Sequence, residues 1–184
     1  MDLLKLSRGD APWSVNVVVE IPQGSTQHVK YEFDKNSGAL MVDRFLHTAM
    51  YYPANYGFVP HTLSEDGDPI DVLVVCQTAV VPGAVMRSRP IGALLLEDEH
   101  GVDEKILAVP VDELHPFYSD VHGPGDLPAT LLDQIAHFFK HYKDLEHAKW
   151  VSVGRWIGAD EAARMIEASV ARFEREATPK TARV

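Results

Sequence analysis

The chain has 184 residues, 46% of them hydrophobic, which suits one globular domain over residues 1–184 with a sizeable core. Its 27 acidic residues against 17 basic ones give a net charge of −10, and that field opposes non-specific binding to nucleic acid and to anionic membrane. A single cysteine, Cys76, excludes an internal disulfide; the start of the chain lacks the apolar core of a signal peptide and no run reaches membrane-spanning length, so the cytoplasm is expected.

The first two-thirds predicts β-structure. Residues 15–21 are valine-rich and stop at Pro22-Gln23-Gly24. Residues 28–34 alternate, with Val29, Tyr31 and Phe33 on one face and Lys30, Glu32 and Asp34 on the other. Asn36-Ser37-Gly38 turns the chain into residues 39–45, so the two segments predict a hairpin. The aromatic stretch 51–58 supplies rings for core or wall. Strands are expected again over 70–76, 85–96 and 105–109, with the acidic stretch 98–103 connecting the last two. A helix is predicted over 127–142, with Asp126 as its cap, Pro128 in the first turn, and Leu131, Leu132, Ile135, Phe138 and Phe139 on one face. A short strand at 150–154 precedes a second amphipathic helix over 162–176, and the tail from Thr178 is expected to fray. Many short strands followed by helices predict a mainly β protein of the α+β class, a small barrel with peripheral helices.

Chemistry concentrates in Asp66-Gly67-Asp68-Pro69-Ile70-Asp71. Three carboxylates in one short turn repel unless cations neutralise them, and oxygen-only ligands favour a hard ion such as Mg²⁺ or Mn²⁺. Such a stretch in isolation is better read as a solvated acidic turn capping a strand, and the rest of the chain overturns that reading. Lys30 and Glu32 share the polar face of their strand, and Asp103 and Lys105 repeat the pattern where Asp98 and Asp103 bracket Gly101. Each pair alone is better read as a cross-strand salt bridge, but their repetition in several segments suits a metal–phosphate complex. Arg44 has the planar fork for phosphate, the Tyr56 phenol can bond a phosphate oxygen, and Tyr142-Lys143 ends the first helix, where a cation also complements the helix dipole. His137 and His141 are four apart on that helix, but Phe138 stands where a zinc protease motif needs Glu, so a surface or interface pair is expected.

Taken together, these segments resemble soluble family I inorganic pyrophosphatases of the bacterial type. The signature D-x-D-P-x-D is complete at residues 66–71. The likeness continues in order through Glu20-Ile21-Pro22, Lys30-Tyr31-Glu32, Gly38-Ala39-Leu40-Met41-Val42-Asp43-Arg44, Tyr52-Pro53-Ala54-Asn55-Tyr56-Gly57 and residues 136–145. The resemblance implies an OB-like five-stranded closed barrel with two helices from the C-terminal half packed outside. It also implies a homohexamer and Mg²⁺-dependent hydrolysis of inorganic pyrophosphate to two phosphates, with several ions per site for which Mn²⁺ or another divalent ion can substitute. It implies Asp66, Asp71 and Asp103 as ligands of the tight metal site, Glu32, Asp98 and Asp103 as ligands of further ions, and Glu20 as a carboxylate behind them. Lys30, Arg44, Tyr56, Lys105, Tyr142 and Lys143 are implied as the phosphate-binding set.

The expected reaction is in-line attack of a metal-activated water, with Asp68 accepting its proton and Asp103 as the alternative base. A metal-dependent nucleotide pyrophosphohydrolase is a rival, opposed by the want of a Gly-rich nucleotide loop. A non-enzymatic divalent-cation module is another: an EF-hand loop from Asp66 would want Gly at 71 and Glu at 77, where Asp71 and Gln77 stand.

Overall fold

The computed structural model describes residues 5–35, 37–99 and 101–177. Asn36 of the expected turn, His100 of the acidic connection and the tail from Thr178 lie outside the described residues. The elements are β1 (Gly9–Asp10), β2 (Ser14–Ile21), β3 (Val29–Phe33), β4 (Leu40–Phe45), β5 (Asn55–Phe58), β6 (Asp71–Val74), β7 (Val85–Asp98), β8 (Gly101–Pro110), α1 (Ala129–His141), β9 (Val151–Gly158) and α2 (Ala159–Ala177). Among the described residues, no helix is long and apolar enough to cross a membrane.

Five strands close on themselves in the order β2-β5-β6-β8-β7, because β2 pairs with both β5 and β7. Counted along the chain, these ring strands follow the order first, second, third, fifth, fourth. The pair β6–β8 is parallel and the other described ring pairs are antiparallel. This is the expected OB-like five-stranded arrangement, extended by β1 beside β2 and β9 beside β7. Strand alternation feeds two apolar clusters. Val72, Val74, Ile106 and Ala108 join Val15, Val17 and Val19 with Ala162 and Ile166 of α2. Leu73, Leu107 and Val109 join Leu94, Leu96 and Tyr56 with Ile135, Phe138 and Phe139 of α1. Each helix therefore seals one set of alternate side chains. The hairpin β3–β4 stands as a separate two-stranded sheet, and Met41, Val42 and Phe45 on β4 are exposed.

Several boundaries differ from the sequence expectation for local reasons. The aromatic stretch contains a strand, β5, in which Gly57 lets two backbones meet: a Cβ there would lie 1.9 Å from the Val18 carbonyl oxygen. The acidic connection is tighter than expected, since Asp98 pairs with Gly101 (φ +118°) and Asp103 already lies in β8. β9 runs to Gly158 because it pairs with β7 along its length. Asp126 does not cap α1: its carboxylate accepts the N–H groups of His122 (2.9 Å) and Gly123 (2.8 Å), closing the preceding turn, and α1 starts after Pro128 without a side-chain cap.

Candidate active site

The acidic turn is built by its own backbone. Gly67 adopts φ +92°, open to glycine at little cost, and donates its N–H to the Ser64 carbonyl (3.2 Å). Ser64 donates to the Asp68 carbonyl at 2.7 Å, and Asp68 N–H donates to Asp66 Oδ1 at 2.9 Å, the side-chain turn that aspartate favours. Buried Thr62 steadies the exit, giving its hydroxyl proton to Val59 and accepting the Ile70 N–H. Asp71 then opens β6 between Phe58 of β5 and Lys105 of β8.

Around this turn lies a cavity of about 350 Å³ whose lining includes all thirteen side chains singled out from the sequence. Glu20 comes from β2, Lys30 and Glu32 from β3, Arg44 from β4, and Tyr56 from β5. Asp66 and Asp68 come from the turn, Asp71 from β6, Asp98 from the end of β7, Asp103 and Lys105 from β8, and Tyr142 and Lys143 from the residues just past α1. An adjoining cavity of about 240 Å³ is lined by Asp66, Asp68, Asp98 and Asp103 with Val102.

Cations and carboxylates interleave. Lys105 Nζ donates to Asp71 Oδ2 and Asp103 Oδ1, each at 2.6 Å. Lys143 Nζ donates to Asp98 Oδ2 at 2.8 Å, Lys30 pairs with Glu32, and Lys35 pairs with Asp68. Burial works to lower the pKa of Lys105, but Asp71 and Asp103 outweigh it and hold the ammonium well above its ordinary value. Burial and the nearby Asp71 push the Asp103 carboxyl up against the pull of Lys105. Glu20, buried and giving one oxygen to the Phe33 N–H (2.8 Å), is pushed up to about 8, chiefly by desolvation. Burial, with Asp71 beside it, holds the Tyr56 phenol well above 10, so it stays a neutral donor; burial raises Tyr142 as well, against the pull of neighbouring lysines.

Among the described residues, nine carboxylates and six basic side chains line the larger cavity, with no histidine and no cysteine. This oxygen-only donor set with an anionic surplus fits a hard divalent cation. Among the described residues, no three of these carboxylates are gathered into a finished coordination shell; ammonium groups stand between them.

Sequence reasoning passes over four charged members of the wall: Lys35, Asp43, Glu99 and Lys149. Asp43 accepts Arg44 Nε at 2.7 Å and lies 3.4 Å from Lys30. Asp43 and Glu99 sit beside residues already singled out, and Lys35 and Lys149 sit close behind others. Proximity along the chain is the available signal, and it carries no information about direction.

Comparison with known proteins gives one consistent picture. The family described as Pyrophosphatase, inorganic pyrophosphatase, matches residues 17–174. Among curated relatives, an inorganic pyrophosphatase of Caulobacter vibrioides is 60% identical over 174 residues, 94% of this chain and 98% of that protein. One from Gluconobacter oxydans is 57% identical over 172 residues, 93% of this chain and 98% of that protein. Among solved structures, the crystal structure of an inorganic pyrophosphatase from Thermus thermophilus superposes with a TM-score of 0.89 at 41% identity. It covers 95% of this chain and 99% of its own.

Proposed function

This chain belongs to the inorganic pyrophosphatase family, a family of pyrophosphate hydrolases, and from that premise we propose that the cavity cleaves inorganic pyrophosphate to two phosphates with Mg²⁺ as its cofactor. The observation that carries the reading is the charge of the wall: nine carboxylates would repel a polyanion unless divalent ions enter with it. Glu32, Asp66, Asp71, Asp98 and Asp103 are the residues that would hold those ions, with Glu20 behind them. Bound Mg²⁺ would neutralise phosphate charge and render water more acidic.

The remaining roles belong to the side chains themselves. Lys30, Arg44, Lys105 and Lys143 bind phosphate oxygens and offset the charge that builds on the leaving phosphate as the P–O bridge breaks in line. Tyr56 and Tyr142, both held in the neutral phenol form, donate hydrogen bonds to the same oxygens. Asp68 takes the proton of the attacking water. It lines both cavities and pairs with Lys35, which lines the larger one. Asp103 is the alternative base, made more basic by burial.

A homohexamer working in the cytoplasm belongs to the same reading. His137 and His141, with ring centroids 4.6 Å apart on α1, supply the interface pair. Mass measurement of the native assembly tests this, and a monomer mass would reject the hexamer.

The test is phosphate release from pyrophosphate and from ATP, with Mg²⁺ and with EDTA. Release from pyrophosphate that requires Mg²⁺ supports the proposal. Equal release from both substrates would instead favour a nucleotide pyrophosphohydrolase, and no release by folded protein under any divalent ion would reject an enzymatic role.

A further inference from the structure

Glu146 stands behind the cavity wall rather than in it. It lies in the segment after α1, where its backbone N–H donates to the Lys143 carbonyl at 2.8 Å, and only 12% of its side chain is exposed. Its Oε2 accepts Arg44 Nη1 at 3.0 Å and lies 3.2 Å from Lys149 Nζ. Its Oε1 is buried without a hydrogen-bond partner. A carboxylate so placed costs free energy, and its stabilising contacts are two cations that do face the cavity.

The pairing completes a chain of alternating charges. Glu32 meets Lys30, Lys30 meets Asp43 at 3.4 Å, Asp43 meets Arg44 at 2.7 Å, Arg44 meets Glu146, and Glu146 meets Lys149. Its link from Arg44 to Glu146 joins residues 102 apart in sequence and connects β4 to the segment that carries Tyr142, Lys143 and Lys149. That matters because β3–β4 shares no ladder with the seven-stranded sheet. The hydrogen bonds of Arg44 engage Nε and Nη1, one with Asp43 and one with Glu146, and leave the two Nη2 donors for an anion in the cavity.

We infer that Glu146 is a positioning residue for Arg44: it fixes the guanidinium against the far wall so that the Nη2 edge meets a phosphate with little rotamer freedom left to lose. A guanidinium held at two edges binds an anion at lower entropic cost than a free one. The inference rests on the phosphate-binding role proposed above for Arg44. Glu146 touches no reacting atom, so its removal weakens substrate binding and spares the chemical step.

The experiment is steady-state pyrophosphate hydrolysis at saturating Mg²⁺ for Glu146→Gln, Glu146→Ala, Arg44→Ala and the Arg44→Ala, Glu146→Gln double variant. Glu146→Gln keeps shape and one acceptor but loses the charge, and should raise KM by up to about tenfold, the worth of one charge-assisted hydrogen bond, with kcat held within about twofold. Glu146→Ala should raise KM further. In the Arg44→Ala background the Gln substitution should change KM by less than about twofold, as expected of a residue acting through Arg44. An equal fold-change in both backgrounds would overturn the inference by revealing a merely structural role. Unchanged KM in Glu146→Gln beside a raised KM in Arg44→Ala would overturn the inference alone; unchanged KM in Arg44→Ala would overturn the parent reading too. Should the Ala variant not fold, the isosteric Gln pair decides the matter.

Discussion

Lys105 on β8 stands in register with Asp71 on β6, across the parallel pairing of the ring, and its Nζ lies 2.6 Å from Asp71 Oδ2. The same ammonium reaches Asp103 two residues back on its own strand, so one cation, 5% exposed, separates two carboxylates proposed to hold metal. An ammonium so buried is tolerable because two carboxylates flank it, and they in turn depend on it.

Replacing Lys105 with Met should therefore leave two uncompensated carboxylates and lower stability by about 3 kcal/mol in EDTA. Mg²⁺ should restore more stability to this variant than to the native chain, because it supplies the missing positive charge. Urea unfolding of both proteins with and without Mg²⁺ measures this. An equal Mg²⁺ response would remove Asp71 and Asp103 from the metal reading.

Glu20 gives the metal-free protein a pH dependence with a definite sign. Its folded-state pKa is raised, chiefly by burial, from an ordinary 4.5 to about 8. The native state thus holds a proton that the unfolded chain releases. The stability contribution is fully present below about pH 4.5 and is lost as pH rises to about 8. Glu20→Gln keeps an acceptor for the Phe33 N–H and cannot ionise, so it should flatten this decline. Thermal unfolding in EDTA across pH 5–9 should show the variant gaining on the native chain as pH rises, and parallel curves would contradict the buried-acid account.

Gly57 is a point of close approach between β2 and β5. A Cβ would stand 1.9 Å from the Val18 oxygen and 2.9 Å from Val19 Cα, both backbone atoms that cannot swing aside. Gly57→Ala should cost about 3 kcal/mol by forcing the strands apart, and should raise KM because Tyr56 is the adjacent residue. A loss below about 0.5 kcal/mol on urea unfolding would mean that the ring accommodates the methyl group.

Most strands and every proposed catalytic and ligand position are legible in the sequence, for two different physical reasons. β2 and β6 announce themselves because a ring buried on both faces demands runs of Val, Leu and Ile. The site announces itself because Asp66, Asp68 and Asp71 crowd one turn, where their mutual repulsion calls for a cation. What stays hidden depends on long-range pairing. β5 is four residues long and owes its position to β2 and β6, and β9 grows to Gly158 through its pairing with β7. Glu146 reads as one more surface acid, since nothing local says that Arg44, 102 residues away, will meet it. Asp126 looks like a helix cap because Asp shortly before a Pro-containing helix start usually is one; here two upstream N–H groups claim it first.

Arg44→Lys should weaken pyrophosphate binding while leaving the fold intact. The guanidinium reaches Asp43 and Glu146 with different nitrogens and still presents a third to the cavity, whereas an ammonium is a single point that cannot satisfy three directions. KM should rise by about tenfold, the cost of one charge-assisted contact, with the fold retained. Unaltered KM and kcat would remove Arg44 from the phosphate-binding set.

Asp68→Asn separates basicity from architecture more cleanly than any other substitution in the cavity. The turn uses the Asp68 backbone at both ends, its N–H to Asp66 and its carbonyl from Ser64, so the amide preserves the loop. The carboxylate itself is 67% exposed and pairs with Lys35. Little folding energy rides on an exposed pair of this kind, so the melting temperature should hold. If Asp68 accepts the proton of the attacking water, kcat should fall by about 10²–10⁴-fold while pyrophosphate still binds, as measured by single-turnover hydrolysis and equilibrium binding with Mg²⁺. Near-native kcat would move the role to Asp103. There burial has already raised the carboxyl pKa, and Asp103→Asn would then be the variant that loses the reaction.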